Sequence, residues 1–152
     1  MGFDIELNEL EAQPVLAIRT RTPFENLSMV IGQSYQKIAE YLAELGEQPA
    51  CAPYTKYYNL DMQDLDVEMG FPVAKPLPGK GEIKQGEVPR GRYVSTMYKG
   101  PYSLMEAPYK EMSKWMEEKG LEPTGVCYEY YYNSPVEVPE SELLTKIVMP
   151  VK

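Results

Sequence analysis

The chain has 152 residues, 43% of them hydrophobic, and a formal net charge of −8, enough for one well-buried core of ordinary domain size. The acidic balance repels a phosphate backbone, so direct DNA or RNA binding is not expected. Histidine is absent, which removes Ser-His-Asp and Cys-His catalysis and most zinc chemistry, and leaves Glu, Asp, Tyr, Lys or Cys for any reaction.

Residues 3–10 and 14–20 read as strands, with Val15, Ala17 and Arg19 on one face and Leu16, Ile18 and Thr20 on the other. Thr22-Pro23-Phe24-Glu25 has the form of a helix start, a Thr cap followed by Pro and then Glu. Ile31, Tyr35, Ile38, Leu42 and Leu45 follow at helical spacing, and Gly46 stops the helix. Residues 51–60 and 65–73 read as two more strands. Residues 74–87, rich in Pro, Gly and Lys, read as a linker with room for a short strand at its end. Gly91–Lys99 is a strand and Gly100-Pro101-Tyr102 a turn. Tyr102, Met105, Tyr109, Met112 and Met116 then give a second helical stripe, which Pro108 is expected to delay or kink and Gly120 to end. Residues 126–133 and 144–151 are the last two strands.

The order repeats because the sequence does. Tyr57-Tyr58-Asn59 recurs as Tyr131-Tyr132-Asn133 at an offset of 74, which also relates Gly46 to Gly120, Pro49 to Pro123 and Tyr35 to Tyr109. Nearer the ends of the repeats the offset is 78: Pro23-Phe24 matches Pro101-Tyr102, and Phe71-Pro72-Val73 matches Met149-Pro150-Val151. Each half is strand-helix-strand-strand. The expectation is a single α+β domain, with repeat one at about 3–73, the linker at about 74–87 and repeat two at about 88–152. Pseudo-twofold packing would place an antiparallel sheet under two helices on one side, with a central groove between them.

The N-terminus has no charged start followed by an apolar run, and no apolar stretch is long enough to span a membrane. Cys51 and Cys127 form no CxxC. A cytoplasmic protein with both thiols reduced is expected, with neither membrane nor cofactor involved. Gly79-Lys80-Gly81 lacks the context of a phosphate loop. Asp61, Asp64 and Asp66 lack the spacing of a calcium loop, so a solvated turn is expected there and no metal.

The strand at 126–133 is the most informative segment. Alternation puts Cys127, Glu129, Tyr131 and Asn133 on one face and Tyr128, Tyr130 and Tyr132 on the other. Alternation alone favours solvent for Glu129, since buried glutamates are rare. If its face is buried, the carboxyl must be paired, protonated, or waiting for a cationic ligand. Its counterpart in the first repeat is Thr55. The 13 tyrosines and 9 methionines suit either a pocket for aromatic or cationic ligands or an ordinary core, and helical spacing favours core for Met105, Met112 and Met116. Cys127 has no basic neighbour to activate it and reads as structural.

Taken together, Gly70-Phe71-Pro72-Val73, the segment Gly86 to Tyr93, Lys99-Gly100-Pro101-Tyr102, Trp115 before Gly120, Tyr128 to Pro135 and the ending Leu144 to Val151 resemble the GyrI-like small-molecule-binding domains. These also serve as effector-binding domains of bacterial multidrug-responsive activators. The resemblance implies a duplicated strand-helix-strand-strand fold with a groove. It also implies that Glu129 lies at the floor of a pocket for cationic aromatic ligands, which reverses the reading from alternation. Tyr131 would share its face, Tyr57 would be the pseudo-symmetric counterpart of Tyr131, and Tyr98 and Tyr102 would form the wall. No helix-turn-helix is expected before the domain, so the chain resembles the free-standing members.

Three functions follow from the resemblance. The first is binding of small hydrophobic, amphipathic or cationic molecules, for sequestration of a drug or toxin. The second is hydrolysis of cyclopropane-type electrophiles, with Glu129 and Tyr131 as catalytic residues. The third is interaction with a protein partner such as DNA gyrase.

Overall fold

A computed structural model describes residues 3–152 of the chain. The architecture is α+β, as expected. Its strands are β1 (Ile5–Leu10), β2 (Gln13–Thr22), β3 (Tyr54–Tyr57), β4 (Leu65–Pro72), β5 (Lys84–Val88), β6 (Gly91–Lys99), β7 (Cys127–Tyr131) and β8 (Leu144–Pro150), with helices α1 (Leu27–Glu44) and α2 (Glu106–Glu118). No helix among the described residues is long and apolar enough to cross a membrane.

The chain forms two compact units. One runs from Glu11 to Arg90; the other joins the N-terminal strand to Gly91–Lys152. In the first, the antiparallel order is β3-β4-β2-β5 beside α1. In the second it is β7-β8-β6-β1 beside α2, the same order from equivalent strands. Each repeat's leading strand is exchanged: β1 pairs with β6, not β2, and β5 pairs with β2, not β6. Both are edge strands within their units and are blunted accordingly. β1 is IELNEL, exposed from its second residue on, and β5 is KQGEV, buried only at Val88.

The repeat offset has a structural origin. It falls by four residues, about one helical turn, from 78 before the helix to 74 after it, and the shortening lies in the helical segment, where α2 has 13 residues and α1 has 18. Removing about a turn keeps the faces of a helix in phase. The longer β7–β8 connection, which holds a short 3-10 turn at Glu140–Glu142, restores the offset. Both helices end alike. Gly46 and Gly120 take φ of 70° and 69°, and the N–H after each glycine returns to the helix, Glu47 to Leu42 and Leu121 to Met116. Left-handed glycine with a six-to-one bond satisfies the last carbonyls.

The helix starts differ from expectation. Thr22 does not cap α1. Its hydroxyl donates to the Pro23 carbonyl, and a 3-10 turn at Phe24–Asn26 precedes the helix. Tyr102 and Met105 of the expected stripe precede α2, which starts late, at Glu106, and Pro108 is its third residue, where a missing N–H is one of the four that a helix leaves unbonded.

Each unit buries its helix stripe on its own sheet. In one, Ile38, Tyr41 and Leu42 of α1 meet Leu16, Ile18 and Phe71. In the other, Met112 and Met116 of α2 join Met105 against Val94, Ile147 and Met149, with Trp115 packed beside them. The methionines are core, as their spacing predicts. The other face of the first sheet carries a polar lattice. Arg19 makes two bonds to Asp66, at 2.9 and 2.7 Å, and lies 3.7 Å from the Tyr58 ring centroid. Tyr54 and Tyr58 both donate to Glu68.

Candidate functional site

The strand β7 is where the expectation about faces is decided. Its register sets Glu129 opposite Ile147 and Tyr131 opposite Thr145, and β6 sets Tyr98 on the other side of Thr145. Partners directly opposite share a face, and Ile147 belongs to the core under α2. Glu129 therefore lies on the helix face, half-buried, and not on a solvent face.

Two phenols reach its carboxyl. Tyr131 donates to Oε1 at 2.7 Å, and Tyr109 of α2 donates to Oε2 in a very close contact. Among the described residues no lysine or arginine pairs with it, and no group of three or more acidic or cysteine side chains could hold a metal. Burial pushes its proton affinity up, and the donors Tyr109 and Tyr131 pull it part of the way back. Desolvation outweighs the two charge-assisted bonds because neither phenol carries a compensating charge. Tyr109 also lies 3.1 Å from Cys127 Sγ. The thiol is pushed up to about 12, first by burial and then by the Glu129 charge, which favours its protonated form.

Around this centre the other expected residues are placed unequally. Tyr102 stands edge-on to Tyr131, with ring centroids 5.8 Å apart. It is 41% exposed, at the surface edge of this cluster. Burial and the Glu129 charge both raise its proton affinity. Tyr98 is buried, and its hydroxyl is committed to the Pro101 carbonyl at 2.8 Å. Its ring fills the space beside Gly100, whose φ is 147° and where an added Cβ would lie 2.8 Å from the Tyr98 oxygen. It supports the turn leading into α2 and gives no hydrogen bond to Glu129. Tyr57 lies in the other unit, packed on Leu27, Leu65, Val67 and Met69. Thr145, between Tyr98 and Tyr131, is fully buried, and its hydroxyl has no hydrogen-bond partner among the described residues. A hollow of about 400 Å³ runs along α2, lined by Glu106, Tyr109, Lys110, Ser113, Lys114 and Glu117. Tyr109 therefore touches both that hollow and the carboxyl.

Sequence reasoning did not place Tyr109 in the site. The signal was present at the offset of 74, which pairs Tyr109 with Tyr35 and Glu129 with Thr55. In the first repeat Tyr35 bonds to Thr55 at 2.9 Å. The same helix tyrosine meets the same strand position in both units. One unit keeps a neutral pair there; the other has an acid.

Over residues 3–152 the sequence matches the family described as the GyrI-like small molecule binding domain. Solved structures with a similar fold include the EcmrR–DNA complex (TM-score 0.84, 21% identity, 99% of this chain and 57% of that one). The present chain thus spans little more than half of EcmrR. The isolated EcmrR C-terminal domain matches over 100% and 99% of the two chains (TM-score 0.75, 22% identity). SAV2435 bound to tetraphenylphosphonium matches over 98% and 94% (TM-score 0.69, 10% identity). A hydrolase from Listeria innocua matches over 99% and 93% (TM-score 0.71, 16% identity). No curated protein matches.

Proposed function

The chain belongs to the GyrI-like small-molecule-binding domain family, and from that premise we propose that it binds lipophilic aromatic cations at Glu129. The observation that carries this reading is the desolvated carboxyl. It takes a phenol on each oxygen and, among the described residues, has no cation of its own. Such a group gains most from a ligand that brings a positive charge without a tight hydration shell. Tyr131 and the exposed Tyr102 add aromatic edges and faces for stacking and cation–π contact. SAV2435, similar in fold, is known with tetraphenylphosphonium bound, which makes that cation the natural first probe.

Calorimetric titration with tetraphenylphosphonium beside neutral triphenylphosphine oxide tests the proposal. Preference for the cation supports it. Equal affinity for both, or binding of neither, removes Glu129 from the role.

A second reading, hydrolysis of a strained electrophile, draws on the raised proton affinity of Glu129, which suits an acid–base group. A tenfold excess of a cyclopropane-bearing alkylator separates the two. Water-added product beyond one equivalent means turnover; unchanged compound means that this substrate is not hydrolysed.

A further inference from the structure

Tyr109 has one proton and two neighbours. Its oxygen contacts both Glu129 Oε2 and Cys127 Sγ. An ionised carboxylate only accepts, so the Tyr109 proton then points at Glu129, and the thiol is left as the donor in its 3.1 Å contact with the Tyr109 oxygen, the nearer of its two acceptors, the other being the Tyr128 carbonyl at 3.8 Å. A protonated Glu129 reverses the order. Its O–H donates to Tyr109, Tyr109 turns its proton to Sγ, and the S–H turns to the Tyr128 carbonyl, 3.8 Å away. Every donor finds an acceptor in either state, and no proton leaves its own residue apart from the one Glu129 exchanges with solvent.

We infer that Cys127 is a positioning residue for Glu129: its thiol donates to Tyr109 when the carboxyl is charged and accepts from it when the carboxyl is neutral. The inference uses the proposed function only in taking Glu129 as the charge that faces ligand. Among the described residues, the groups around that carboxyl leave the thiol no charged competitor. Tyr109 comes from α2, Tyr131 and Cys127 from β7, and Tyr102 from the turn before α2. β8 presents Ile147 and Thr145 on this face, and β6 presents Thr96, which donates to the Asp4 carbonyl, and Tyr98. The charged residues of α2 around Tyr109, which are Glu106, Lys110, Lys114 and Glu117, line the hollow, and none is paired with Glu129.

The ionised state gains more from the thiol than the neutral one. Its chain of donors ends on a full charge, where hydrogen bonds are strongest and polarise one another. In the neutral state sulfur is only a weak acceptor. Losing Cys127 therefore raises the pH at which Glu129 titrates.

The test needs no ligand. The Glu129 carboxyl is titrated by carbon NMR in the free protein, with Glu129→Gln assigning the signal. In Cys127→Ala the midpoint should rise by about half a pH unit, the size of a partly weakened charge-assisted bond. In Cys127→Ser, which keeps a donor and an acceptor, it should stay near wild type. In a Cys51→Ser background, the infrared S–H band of Cys127 should shift in step with the Glu129 titration and stand still in Glu129→Gln. An S–H band indifferent to that titration overturns the inference. So does a Cys127→Ala midpoint equal to wild type, or a serine variant that moves as far as the alanine one. Failure to bind tetraphenylphosphonium bears on the proposed function alone and leaves these readouts intact.

Discussion

Replacing Glu129 with glutamine removes one charge and almost no volume. A tetraarylphosphonium wraps its charge in phenyl groups, so its phosphorus approaches a carboxylate to roughly 6 Å. At an effective dielectric constant of about 20, two unit charges at that distance attract by about 3 kcal/mol, or on the order of a hundredfold in affinity. The amide itself is accommodated. Tyr131 can still donate to the amide oxygen, while the amide N–H donates to Tyr109, whose proton then turns to Cys127 Sγ. The expected result at pH 8 is thus a loss of about a hundredfold for tetraphenylphosphonium and little change for triphenylphosphine oxide, read by calorimetry. Stability should move the other way. Because burial raises the Glu129 proton affinity in the folded chain, the folded state holds more protons than the unfolded one between the ordinary glutamate range and the raised value. Wild-type stability therefore falls as pH rises through that window, and the deficit persists above it. Thermal melts should show Glu129→Gln above wild type at pH 8 and level with it below about pH 4. Equal cation affinity in the two proteins, or a melting difference that ignores pH, would refute the account of Glu129 as a desolvated carboxyl.

Three further outcomes follow from the same neighbourhood. Tyr131→Phe deletes the donor to Oε1, so the Glu129 midpoint, followed by carbon NMR, should rise. Thr145→Val removes a fully buried hydroxyl that has no partner among the described residues; the protein should gain about 1 kcal/mol and melt roughly 2–4 °C higher, whereas a lower melting temperature would mean that the hydroxyl is bonded in solution. Gly100→Ala adds a Cβ beside the Tyr98 oxygen at a φ of 147° and should cost about 3 kcal/mol in denaturant unfolding, with Tyr98→Phe recovering little because the backbone strain remains.

Periodicity and glycine placement were enough to outline the elements, because they report local geometry. The alternation at 126–133 grouped Cys127, Glu129 and Tyr131 correctly, and both helix-ending glycines do end helices. Which face is buried is a long-range fact. For β7 it depends on pairing with β8 and on where α2 lies, and no local pattern carries that. The resemblance supplied it. Tyr109 was missed for a related reason: in the helical stripe it looks like one more core residue beside Met105 and Met112. Only its contact across to β7 distinguishes it. Thr22 failed as a cap because a 3-10 turn at Phe24–Asn26 intervenes and α1 starts only at Leu27, a local alternative that the capping pattern ignores. The exchange of β1 and β5 was also beyond a sequence reading, since both strands are short, polar and flanked by equally plausible partners.

That exchange gives the chain the makings of a two-piece system. The hairpin tip at Lys80–Ile83 lies between β4 and β5 and is exposed at Lys80, Gly81 and Glu82. A cut after Lys80 leaves β1 on the first fragment, paired with β6 of the second, and β5 on the second, paired with β2 of the first. Each fragment then holds a strand that the other's sheet requires. A nicked protein should migrate as one particle, and two separately expressed fragments should have to meet before either sheet is complete.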